Sequence, residues 1–130
     1  MLRSGQILTG TIAYLDESSN GILMVGKDKV FVRHVLAKEK VKVKIQKRLK
    51  EGYSANVIEI LQKDKERIKP VCGIYERCGS CHLMHVSVQG QKHQKLSYLQ
   101  KLCAKNKQLH IKAEEIATMK HPYHYRNKMI

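Results

Sequence analysis

"KVKVKIQKRLKEGYSANVIEIL" (residues 40–61) alternates apolar and polar side chains more cleanly than any other part of the chain. Val41, Val43 and Ile45 fall on one face, and Lys40, Lys42, Lys44 and Gln46 on the other. A period of two is the pattern of a half-buried strand. "EGY" (51–53) turns the chain, and "SANVIEIL" (54–61) brings it back as a second strand. The lysine row then points outward, and it serves equally as a solvated strand face or as an RNA-binding face.

Three more strands lie upstream. "GQILTGTIAYL" (5–15) is rich in β-branched residues and sets Ile7, Thr9, Thr11 and Ala13 on one face. "SSNG" (18–21) contains Asn20-Gly21, a strong hairpin signal. "ILMVG" (22–26) leads through "KDK" (27–29) to a third strand beginning "VFVRHVL" (30–36). Five short strands with tight turns and no helix predict a small, mainly β domain over residues 1–62. Closure into a barrel would remove the exposed edges of so small a sheet.

"QKDKERIKP" (62–70) is polar and ends in proline, which marks residues 63–70 as a linker. Residues 71–130 then read as an incomplete α+β segment: a Cys-rich loop, a basic helix and the start of a strand. In "VQGQKHQKLSYLQKLCAKNKQL" (88–109), Leu96, Leu99, Leu102 and Cys103 recur at helical spacing. Lysines including Lys92 and Lys95 cover the rest, from near Gln91 to between Asn106 and Leu109. After Pro122, "YRNKMI" (125–130) reads as a strand that begins without a partner, the mark of a piece of a longer protein.

The charge is strongly one-sided. There are 25 Lys+Arg against 11 Asp+Glu, a net +14, which favours a polyanionic partner, most commonly nucleic acid. Residues 63–130 carry a net +9 against +5 for residues 1–62. Aromatic residues are few, with six Tyr, one Phe and no Trp, so phosphate contacts should outweigh base stacking. No apolar run approaches the roughly 20 residues of a membrane span, and the N-terminus lacks a signal-peptide core. A cytoplasmic setting follows, in which four cysteines are better read as metal ligands or reactive thiols than as disulfides.

Three of those cysteines lie in "CGIYERCGSCHLMH" (72–85). Cys72, Cys78 and Cys81 are spaced C-x5-C-x2-C, and small Gly79 and Ser80 let the chain curl around an ion. Zinc would take these three thiolates and His82 or His85. A [4Fe–4S] cluster would need a fourth cysteine, which the stretch lacks. A redox dithiol would use Cys78 and Cys81 alone. Cys103, on the apolar side of the helix, is a core residue.

These motifs together resemble the front of the RNA (uracil-5-)-methyltransferases of the bacterial 23S ribosomal RNA type. The similar features are the C-x5-C-G-x-C stretch, with Ser80 where glycine is usual, the Gln/Lys-rich helix, and "YRNK" (125–128). "KVFVRHVLAKEKVKVKI" (29–45) is similar to the pattern of the TRAM domain, an oligonucleotide-binding (OB-like) barrel. The resemblance implies an RNA-binding TRAM barrel in residues 1–62 and the beginning of an iron–sulfur domain in residues 71–130. It implies Cys72, Cys78 and Cys81 as three ligands of a [4Fe–4S] cluster, with the fourth downstream of Ile130. Lys40, Lys42, Lys44, Lys92, Lys95, Arg126, Asn127 and Lys128 are the implied RNA-binding residues, with ribosomal RNA as partner and no obligate protein partner. S-adenosylmethionine, the nucleophilic cysteine and the general base would belong to a later domain. The chain alone is then expected to be inactive. The alternative is a stand-alone zinc-containing RNA-binding module.

Overall fold

The computed structural model describes residues 1–128 and is built on one mixed β-sheet. Its strands are β1 (Ile7–Thr11), β2 (Tyr14–Leu15), β3 (Gly21–Val25), β4 (Asp28–Val32), β5 (Lys40–Leu49) and β6 (Gly52–Gln62). They lie side by side in the order β1-β5-β6-β4-β3-β2. All neighbours are antiparallel except β4 and β6, which run parallel through Val30–Val32 and Tyr53–Ala55.

The alternation in residues 40–46 is realised as read. Val41 and Val43 are fully buried and Ile45 nearly so, while Lys40 and Lys44 are exposed and Lys42 is half-buried. These residues join Ile12, Leu23, Val30, Val32, Val35, Tyr53 and Ala55 in one apolar core. The first strand turns its Ile7, Thr9 and Thr11 face outward, and Leu8 and Ile12 inward.

The sheet has six strands rather than the expected five, because the first run of chain is broken in two. Ile12 still bonds to the β5 side, where its amide donates to Glu39 O at 2.9 Å and its carbonyl accepts from Lys38 N at 2.8 Å. The Ala13 amide instead donates to Ile22 O at 2.8 Å, so the chain changes partner within one residue. One run of chain therefore supplies both end strands. No ladder joins β1 to β2, so the sheet curls without closing into the expected barrel. Register shifts along β5 and β6 add to that curl, leaving the apolar Ile58 and Leu61 as extra residues at 48% and 46% exposure.

The first hairpin also differs from expectation. Its turn is organised by Asp16, whose carboxylate accepts from the Ser18 and Asn20 amides and the Asn20 side chain. Ser19, not the Asn-Gly pair, takes the positive φ. Gly21 is instead needed for close approach. A Cβ there would lie 2.2 Å from Val35 Cγ2. Gly52, at the turn between β5 and β6 with φ +150°, likewise leaves room for the Lys29 carbonyl of β4.

The chain forms two compact units, Met1–Ser87 and Val88–Ile130. The second contains α1 (Val88–Lys105), three residues earlier in its start than the periodicity suggests, and a short 3-10 turn at Lys107–Leu109. Leu99 and Leu102 on α1 are 40% and 44% exposed, and Cys103 is half-buried. Residues 125–128 are not in a strand, since a strand forms only against a partner and none is present among the described residues. Met129 and Ile130, the end of that expected strand, lie outside the described residues.

Candidate functional site

Residues 63–70 are held firmly to the sheet unit. Glu39, with no exposed surface, receives a two-pronged ion pair from Arg67: Nε to Oε1 and Nη2 to Oε2, both at 2.7 Å. The Leu36 and Asp64 amides also donate to this carboxylate, and Arg67 Nη2 reaches the His34 carbonyl at 2.8 Å. Burial works to raise the Glu39 carboxyl. The hydrogen bonds from Arg67, Leu36 and Asp64 outweigh it and hold the group below its ordinary value.

Beside this ion pair, Arg67 and Val86 form an isolated antiparallel bridge. Ile68 N donates to His85 O and Ser87 N to Glu66 O, and the Ser87 hydroxyl donates to the Glu66 carboxylate. The cysteine stretch is therefore a loop whose two ends are fastened together.

Tyr75 and His85 fix the loop to the sheet. His85 is buried, with Nε2 3.0 Å from the Val35 carbonyl and Nδ1 2.7 Å from the Tyr75 hydroxyl. A carbonyl can only accept, so Nε2 carries the proton and Nδ1 accepts from Tyr75. Burial pushes the imidazole down to about 4, and the neutral ring suits this bonding. The Tyr75 hydroxyl also lies 3.1 Å from the His82 carbonyl. The His34 ring sits 4.6 Å from Tyr75, centroid to centroid. Burial and the neighbouring Arg33 guanidinium lower His34, which is therefore neutral at pH 7.

The cysteines themselves do not converge. Cys72 and Cys78 are half-buried, Cys81 is exposed, and all are free thiols. Cys78 Sγ lies 3.4 Å from Ser80 Oγ, and hydrogen bonding of the Ser80 hydroxyl and amide to the sulfur favours the thiolate and lowers its pKa. Among the described residues no three His, Cys, Asp or Glu side chains are arranged to hold a metal ion. Three thiols are suitable donors, but as folded they do not fit a metal centre. His85 is also withdrawn from the zinc alternative, since both ring nitrogens are engaged, leaving exposed His82.

The basic residues separate into groups. Lys40, Lys42 and Lys44 form one row on β5, opposite Thr11, Thr9 and Ile7 of β1. Lys92 and Lys95 lie on α1, and exposed Arg126, Asn127 and Lys128 lie in irregular chain of the same unit. A groove of about 540 Å³ in the sheet unit is lined by residues 55–60 of β6 together with Arg33, His34, Tyr75 and Glu76. Sequence reading misses this groove and the Glu39–Arg67 pair, because both depend on contacts between residues about thirty positions apart. The local sign is polar Arg33-His34 directly after the apolar "VFV".

No family model matches the chain. It is similar to an uncharacterized RNA methyltransferase of Clostridium acetobutylicum, 34% identical over 122 residues, which cover 89% of the chain and 26% of that protein. Similar proteins of the same designation occur in Listeria monocytogenes, at 30% identity, and Staphylococcus aureus, at 28%. In both, the match covers 98% of the chain and 28% of the relative, so the chain spans about a quarter of the length of the curated relatives it matches. No helix among the described residues is long and apolar enough to cross a membrane. The chain is thus related, over nearly its whole length, to part of the sequence of RNA methyltransferases.

Proposed function

We propose that this chain is the RNA-binding portion of an S-adenosylmethionine-dependent RNA methyltransferase acting on carbon 5 of uracil in 23S ribosomal RNA. The supporting observation is the lysine row of β5, held outward by the burial of Val41, Val43 and Ile45 behind it. Such a row binds phosphates and releases counterions. The names of the relatives supply the methyl-transfer reaction, and the resemblance at "CGSCHLMH" and "YRNK" supplies the uracil and ribosomal specificity. Methyl transfer itself would need residues outside this chain, which contributes binding and orientation. Cys72, Cys78 and Cys81 enter the proposal as cluster ligands only through a rearranged loop and a fourth thiolate.

The test is fluorescence anisotropy of single-stranded RNA across a salt series. Affinity should fall linearly on logarithmic axes. The triple substitution Lys40→Gln, Lys42→Gln, Lys44→Gln should reduce the slope by about 2, at roughly 0.7 for each phosphate no longer neutralised. An unchanged slope would remove the lysine row from the interface. For the whole protein, radiolabelled S-adenosylmethionine should deliver its methyl group to carbon 5 of a uridine in 23S transcripts.

A further inference from the structure

The groove beside β6 has an unusual wall. Six consecutive residues, 55–60, line it, so it is bordered by the edge of the strand and not by one of its faces. The parallel ladder to β4 ends at the Val32–Ala55 pair, while β6 runs on to Gln62. Among the described residues, the edge of 56–60 facing away from β5 has no strand partner, and its backbone donors and acceptors open onto the groove. The register shifts at Ile58 and Leu61 disfavour a regular added strand, which needs evenly spaced pairing.

The rest of the lining is aromatic and mixed in charge. The half-buried His34 ring rests against Tyr75, the exposed Arg33 lies at the same strand end, and Glu59 and Glu76 also line the space. Arg67 lines it too, but its charge is committed to Glu39. Two carboxylates against one uncommitted guanidinium repel a phosphate inside the groove. They are good acceptors for an exocyclic amine. A flat ring stacked on an imidazole, with its edge against the free backbone groups of a strand, is an arrangement that reads bases, and the volume falls in the range of about 300–1,000 Å³ typical of small-ligand sites.

We propose that this groove takes one unstacked, amino-bearing base of single-stranded RNA, cytosine or adenine, stacked against His34 with its hydrogen-bonding edge towards residues 56–60 and Glu76. Arg33 meets the adjoining phosphate. The proposal rests on the RNA-binding reading above and adds a base preference to it. The lysine row supplies affinity without regard to sequence, and the groove supplies discrimination.

The two contributions separate in one experiment, anisotropy of the full chain with labelled C10, A10 and U10 RNA over a salt series. The wild type should bind C10 and A10 about fivefold or more tightly than U10. His34→Ala and, separately, the surface change Glu76→Gln should bring the three affinities together while leaving the salt slope unchanged. Glu76 is exposed, so its variant tests the groove even if His34→Ala unfolds. The β5 lysine variant should weaken all three RNAs alike and keep their ratio. Equal wild-type affinities, or a ratio that survives Glu76→Gln, would overturn the groove assignment alone. Failure of all three RNAs to bind would overturn the RNA-binding reading and the groove with it.

Discussion

His85 shows how a single residue can be misread from its neighbours. Its place in a Cys/His cluster suggests a metal ligand, and its geometry makes it a structural tie between the cysteine loop and the Val35 carbonyl. Replacing it with Ala removes both bonds and leaves a cavity, which should cost about 2–4 kcal/mol. The pH dependence has a definite sign. The folded pKa, about 4, lies below the ordinary 6.5, so the unfolded chain takes up the proton first. Stability is full above pH 6.5 and falls as pH drops towards 4, by up to roughly 3 kcal/mol. Urea unfolding at pH 7.5 and pH 5 should show this loss in the wild type and a smaller one in His85→Gln. Equal losses would assign the acid sensitivity to other groups.

Among the elements, β5 was the most legible, because its alternation is local and its apolar residues are β-branched. The helix was nearly as clear from the spacing of Leu96, Leu99 and Cys103. Legibility failed where a residue's role depends on a distant partner. Glu39 sits among lysines in "AKEKVK", and nothing local shows that it is buried under Arg67. Likewise, Arg67 lies in a polar stretch that composition marks as a connection. Arg67→Met should therefore be severe, about 3–5 kcal/mol, because it leaves a buried carboxylate without its partner. Pairing it with Glu39→Gln should recover part of the loss. Chemical denaturation of the single and double variants reads this directly, and additive effects would show that the two side chains act independently. The depressed Glu39 pKa adds acid lability of the same sign as His85, its contribution being lost as pH falls below the carboxylate's ordinary value of 4.5.

For the whole molecule, the cysteines and the sheet have to be weighed together. The unit Met1–Ser87 contains three thiols on a fastened loop, and Cys103 lies on the helix of the other unit. Anaerobic reconstitution of the chain with iron and sulfide should therefore leave well under four iron atoms per chain. A stoichiometric, stable [4Fe–4S] cluster would overturn that expectation. The arrangement of the sheet has a separate consequence. Because a single run of chain borders both ends of the sheet, with the exchange of partners at Ile12–Ala13, the two margins are coupled through one residue step. Peeling β2 from β3 drags on the residues that anchor β1 to β5, so the two margins open as one cooperative event, and their amides should share a common exchange rate with solvent deuterium.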